Sequence, residues 1–136
     1  MATIFSKIIA GEIPAYKIAE NELFYAFLDV FPLVTGHTLV VPKREVDYFF
    51  DLNQTELAAV LNFSKPIAKA IEAAFPCLRC GISVVGLEVP HAHVHLVPIM
   101  SADDLNFTRT KLKPSQSELK EAQMRILEKL QVYDGQ

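Results

Sequence analysis

The stretch His91-Ala92-His93-Val94-His95-Leu96-Val97-Pro98 alternates imidazole and apolar side chains. In an extended strand successive side chains point to opposite faces, so this spacing predicts a β-strand over the run. His91, His93 and His95 then share one side, and Ala92, Val94 and Leu96 the other. The apolar side suits packing against a helix. The imidazole side needs a further account, because each ring has two nitrogens that require partners when buried. Three accounts fit the residues alone: histidines satisfied within a core, ligands converging on zinc with a supporting second shell, and nucleophilic catalysis at phosphorus. The third uses neutral imidazole, a competent nucleophile near pH 7 that neighbouring imidazoles can orient.

Working outward, Val94–Pro98 and Gly81–Val85 read as two strands joined through Gly86-to-Pro90. Upstream, Asn53–Phe75 has a helical period with Leu57, Val60, Leu61, Ile67, Ala68 and Ile71 as its apolar stripe. Asn53 and Glu56 form a capping-box pattern, and Pro66 predicts a kink or break. Thr38–Val41 is a β-branched strand ended by Pro42. Ala15–Ala19 and Leu23–Leu28 read as a hairpin around Glu20-Asn21-Glu22. The opening Thr3–Ile9 reads as a short helix capped by Thr3, with Ile4 and Ile8 on one face and a stop at Gly11 and Pro14. Downstream, Ser115-x-x-Glu118 opens a helix to about Val132, with Leu119, Ala122, Ile126, Leu127 and Leu130 on one face. Strands that are largely adjacent in sequence predict an α+β fold: an antiparallel sheet of about five strands with helices packed on it.

The chain has 136 residues, 51% of them hydrophobic, with no repeat or linker, which predicts a single domain over 1–136. Its motif-bearing core spans about 3–100 and a helical extension about 115–132. Thirteen Lys+Arg against 16 Asp+Glu leave a net charge of −3, which argues against binding a nucleic-acid polymer. No apolar run approaches the roughly 20 residues of a spanning helix, and no leader pattern opens the chain, so a soluble cytoplasmic protein is expected. Cys77 and Cys80 form a CxxC without a second ligand pair and read as incidental thiols.

The run His91–Val97 matches the His-φ-His-φ-His-φ-φ signature (φ apolar) and resembles the histidine triad, or HIT, superfamily. Two further blocks are similar to that family's landmarks: Thr3-Ile4-Phe5-Ser6-Lys7-Ile8-Ile9 with Gly11-Glu12-Ile13-Pro14, and Asp29-x-x-Pro32-x-x-x-Gly36-His37-x-Leu39-Val40-Val41-Pro42-Lys43. The resemblance implies the HIT fold, with a long central helix and short N-terminal and C-terminal helices. Among the branches, it is similar to the Hint-like purine nucleotide phosphoramidases and their bacterial relatives.

By that resemblance His93 is the nucleophile, attacking the α-phosphorus of a purine nucleotide to form a nucleotidyl-histidine that water then cleaves. His95 binds the phosphate or leaving-group oxygen, His91 orients its neighbours, and His37 is the fourth imidazole near the phosphate. Asp29 corresponds to the ribose ligand, and Ile4, Phe5, Ile8, Phe27, Val30 and Leu39 to the apolar positions flanking the purine. Gly86–Val89 corresponds to the segment offering N–H groups to phosphate, with Glu88 at a position where relatives carry a hydroxyl and Leu87 at one where they carry Gln. No metal or cofactor is implied. Thr3 and Ser6 stand where zinc-carrying members have Cys, so that structural zinc site is expected to be absent. Phosphoramidates or acylated AMP are the expected substrates. The alternatives are dinucleoside polyphosphate hydrolysis and a nucleotide-binding regulator with incidental hydrolysis. A homodimer through Asn53–Phe75 and the adjacent strand is expected.

Overall fold

The computed structural model describes the backbone of residues 2–134 and the side chains of residues 2–131. Helix α1 (Ile4–Ile9) begins where the Thr3 hydroxyl accepts the Ser6 N–H. Its buried residues are Phe5 and Ile8; Ile4 is half-exposed, so the expected Ile4–Ile8 face is rotated by one position. Strands β1 (Lys17–Glu20) and β2 (Phe24–Leu28) form the expected hairpin, with the Asn21 side-chain oxygen accepting the Leu23 and Phe24 N–H groups. Strand β3 is Thr38–Pro42.

Helix α2 (Gln54–Ala74) starts on the Asn53–Glu56 capping box and runs unbroken through Pro66. The carbonyl of Asn62, deprived of its partner by proline, belongs to an exposed residue that water can reach. The buried face of α2 is Val60, Ser64, Ile67, Ala70, Ile71 and Ala74, with Glu56 at its start. Leu61, expected on that face, is 61% exposed, while Leu57 and Ala68 are half-buried. Strand β4 is Arg79–Ser83, two residues earlier than expected, and Val84 and Val85 lie outside it. Strand β5 is Val94–Ile99, so His91 and His93 precede the strand. Helix α3 (Gln116–Asp134) is capped reciprocally by Ser115 and Glu118. It buries Leu119, Ala122, Ile126 and Leu130, while Leu127 faces out.

The five strands form one antiparallel sheet in the order β1-β2-β3-β5-β4. One face carries Ala26, Leu28, Val40, Val94 and Leu96, packed under α2 and α3. The other carries Phe27, Leu39 and Val41, covered by Phe5 and Ile8 of α1. The fold is α+β as expected, with a C-terminal helix that is long, at 19 residues, rather than short. No helix among the described residues is long and apolar enough to cross a membrane.

Candidate active site

Leu39 pairs across the strands with both Phe27 and His95, so the second face of the sheet carries His95 beside the cluster under α1. The β2–β3 loop adds two groups. Gly36, at φ +100°, makes the turn before β3; a Cβ there would meet the Phe75 ring at 2.6 Å. The turn delivers His37, whose carbonyl accepts the Asp29 N–H at 3.0 Å. His37 is almost fully buried, and His91, His93 and His95 are also buried.

The partners of each ring assign its proton. The Leu33 N–H donates to His37 Nδ1 at 3.0 Å, so in the neutral ring Nε2 bears hydrogen and donates to His95 Nδ1 at 2.9 Å. His95 is therefore protonated on Nε2. His91 Nε2 donates to the Pro42 carbonyl at 2.8 Å, and its Nδ1 accepts the Thr3 hydroxyl at 2.7 Å. His93 Nδ1 donates to the His91 carbonyl at 2.8 Å, which leaves the lone pair on Nε2. The His93 and His95 rings lie 4.8 Å apart, with Phe5 edge-on to His93 and Phe107 edge-on to His95.

Burial makes the charged form of these rings expensive. His37 is pushed down to about 3 by burial, then by Lys111 and His93. His95 is likewise pushed to about 3 by burial, then by His37, His93 and Lys111. Burial also lowers His93, against the opposing pull of the His91 carbonyl. The three rings are thus neutral at pH 7. Asp29 moves the other way: burial raises it to about 6, although the Phe31 N–H and Lys111 favour its charge. Its Oδ2 lies 3.8 Å from His37 Nε2.

Asp29, His37 and His95 have potential ligand atoms within 4.8 Å of one another, the one such group of three among the described residues. The hydrogen bonding does not suit a metal. Coordination through His37 Nε2 would move its proton to Nδ1, where it would face the Leu33 N–H.

Among the remaining expected residues, Phe5, Ile8, Phe27 and Leu39 form one buried apolar cluster, with Val89 packed against it. Ile4 and Val30 are not part of that cluster and stand exposed. Gly86, at φ +72°, lines a cleft of about 340 Å³ together with His93, Ala92, Tyr48, Phe50 and Val84. Glu88 is exposed, and its charge acts on both Asp29 and His93. Sequence reasoning missed the Leu33 N–H, the Pro42 carbonyl, Phe107 and Lys111. The last two lie in an irregular segment without periodicity, where the Lys111 ammonium donates to the Phe107 carbonyl at 2.6 Å. Nothing in the pattern of that segment signals the site. Thr3 was legible as a helix cap but not as the partner of a ring 88 residues away.

The HIT domain profile matches residues 10–101. An uncharacterized HIT-like protein of Borreliella burgdorferi is 36% identical over 131 residues, covering 90% of this chain and 94% of its own. The adenosine 5'-monophosphoramidase HNT1 of Saccharomyces cerevisiae is 37% identical over 98 residues, covering 71% of this chain and 62% of its own. The crystal structure of a Zn-bound histidine triad family protein from Mycobacterium smegmatis superposes with a TM-score of 0.84 at 28% identity, covering 99% of this chain and 97% of its own. The chain belongs to the histidine triad family.

Proposed function

We propose that this HIT-family hydrolase cleaves purine nucleoside monophosphate derivatives, of phosphoramidate or acyl-AMP type, through a covalent nucleotidyl-His93. One observation carries the reading. His93 gives its Nδ1 proton to the His91 carbonyl and keeps the Nε2 lone pair, beside a cleft that can take a leaving group. In the first step Nε2 bonds to the α-phosphorus as the bond to the leaving nitrogen or oxygen breaks, and the leaving group takes up a proton. In the second, water attacks phosphorus, loses a proton, and releases the nucleoside monophosphate and neutral His93. Splitting one displacement into two lowers each barrier. His95, kept protonated on Nε2 by His37, donates to a phosphate oxygen where charge develops.

Asp29 supplies a carboxylate for the ribose hydroxyls. Phe5, Ile8, Phe27 and Leu39 make the apolar wall for the purine, and Ile4 and Val30 stand exposed at its rim. Gly86, Glu88 and Val89 border the phosphate. The monophosphoramidase activity named for the yeast relative supports the substrate class. Dinucleoside polyphosphate hydrolysis is the second reading, favoured by the Lys111 charge that acts on Asp29, His37 and His95 together. The absence of any basic excess accords with a cytoplasmic enzyme of mononucleotides rather than of polymers. A homodimer would cover the sheet edge at β4, where Ile82 and Val84 stand exposed beside Leu61 of α2.

The test is a rapid-quench reaction with an adenosine 5'-phosphoramidate. A nucleotidylated peptide containing His93, formed and consumed at the turnover rate, is the expected result. Turnover without such an adduct would overturn the covalent route.

A further inference from the structure

The N-terminal helix meets the imidazoles through a chain of polar contacts that packing alone does not require. The Thr3 hydroxyl accepts the Ser6 N–H at 3.0 Å as a helix cap, and donates its own proton to His91 Nδ1 at 2.7 Å. That direction is forced. The Pro42 carbonyl can only accept, so His91 carries its proton on Nε2 and offers a lone pair on Nδ1. The Ser6 hydroxyl donates to the Glu45 carboxylate, the stronger of its two acceptors, and the Thr3 N–H donates to Glu45 Oε1 at 3.3 Å and Ser6 Oγ at 3.2 Å. His91 is thus held at both nitrogens, from Thr3 and from the end of β3. Its backbone carbonyl is the acceptor that holds His93 Nδ1–H at 2.8 Å.

We infer that Thr3, itself held by Ser6 and Glu45, is a positioning residue that sets the tautomer and aim of His93 through His91. The inference rests on the nucleophilic role of His93 proposed above. Thr3 touches neither substrate nor reacting atoms. It acts by fixing the ring whose main chain presents the acceptor to the nucleophile. A nucleophile displaced by about 1 Å loses on the order of 10²-fold in rate, so a partial loosening is expected to cost about tenfold. Nucleotide contacts lie elsewhere in the site, and KM should change little.

The experiment compares wild type with Thr3→Val, Thr3→Ser and Glu45→Gln in the full-length protein. The two readouts are single-turnover nucleotidylation from an adenosine 5'-phosphoramidate and imidazole ¹⁵N NMR of the substrate-free protein. Wild type should show His91 protonated on Nε2 and His93 on Nδ1. Thr3→Val should shift the His91 signals, populate the other His93 tautomer, and slow nucleotidylation about tenfold with KM within twofold. Thr3→Ser should restore both readouts. Glu45→Gln, at an exposed side chain where the substitution keeps the size and an acceptor oxygen, should give the same changes in smaller degree. Unchanged His93 tautomer and rate in Thr3→Val and Glu45→Gln would overturn the inference, as would a defect in KM alone. The NMR arm needs no substrate. If wild type forms no nucleotidyl-His93 while the tautomers respond to Thr3 as described, the proposed function fails and the positioning link stands.

Discussion

The two faces of the sheet are built from the same strands and treat buried polarity in opposite ways. Under α2 and α3, the face made by Ala26, Leu28, Val40, Val94 and Leu96 is mainly apolar, its buried hydroxyls of Thr38 and Ser64 spent on backbone carbonyls, and it is covered by two helices of 21 and 19 residues. The opposite face is covered by a helix of 6 residues, and it carries His95 with three more imidazoles brought from the loops. Every ring there has a partner, and none of the described buried side-chain nitrogens or oxygens is left unsatisfied. One face stores stability by excluding water. The other gives up part of it to keep neutral imidazoles and a reluctant carboxylate at fixed positions, a common arrangement at functional sites.

Substitutions on the two faces should separate activity from stability. The largest effect should come from His93→Ala. Loss of a covalent nucleophile is expected to cost roughly 10⁴-fold or more in kcat with an unchanged melting curve, measured by steady-state hydrolysis and calorimetry. His95→Ala should cost about 10²–10³-fold, the range for one lost donor to a developing oxyanion, and a smaller loss would show that another group donates to the phosphate. On the opposite face Ile71→Ala, at a fully buried position, should lower unfolding free energy by about 2–5 kcal/mol in urea titration while kcat of the folded fraction is unchanged.

Acidification probes the imidazole face directly. His37, His95 and His93 stay neutral in the folded state below the pH at which they take up protons when unfolded. Their contribution is therefore complete above about pH 6.5 and is lost as pH falls from there toward 3. Asp29, raised to about 6, works against this by taking its proton in the folded state first, so its own contribution grows as pH falls from 6 toward 3.8. Three imidazoles outweigh one carboxyl, and the net stability measured by urea titration should fall between pH 6.5 and 4. In kinetics the same groups separate: kcat should start to fall at a lower pH than a free imidazole would dictate because burial lowers His93, while KM should rise below 6 as Asp29 is protonated. The smallest effect is expected from Asp29→Asn. Removing a charge that is costly at pH 7 should stabilise the fold by about 1–2 kcal/mol while raising KM, and a destabilised variant would contradict the origin assigned to its shift.

Legibility in the sequence followed the same division. The helix-covered face was readable because period and capping are local: Asn53 with Glu56 and Ser115 with Glu118 cap the helices they were expected to cap, and Val60, Ile67 and Ile71 point inward as their spacing requires. The errors there are of register. Leu61 and Leu127 are apolar yet exposed, and Val84 and Val85 lie beyond the end of β4, because β-branched composition does not mark where pairing stops. On the imidazole face, alternation placed Val94 and Leu96 on the core side and His95 on the other. His91 and His93 reach the same site from an irregular approach to β5.

The sequence by itself determined the inventory: three motif blocks, two of which hold all four histidines, a carboxylate before a Gly-His turn, and an α+β order of elements, since periodicity and residue chemistry are properties of neighbours along the chain. Only the tertiary structure decided which nitrogen of each ring carries the proton. That depends on Leu33, Pro42, Thr3 and a backbone carbonyl at His91. A tautomer follows from the partner each ring nitrogen meets, and for His37 with His95 and His91 with Thr3 those partners lie 58 and 88 residues apart in the chain.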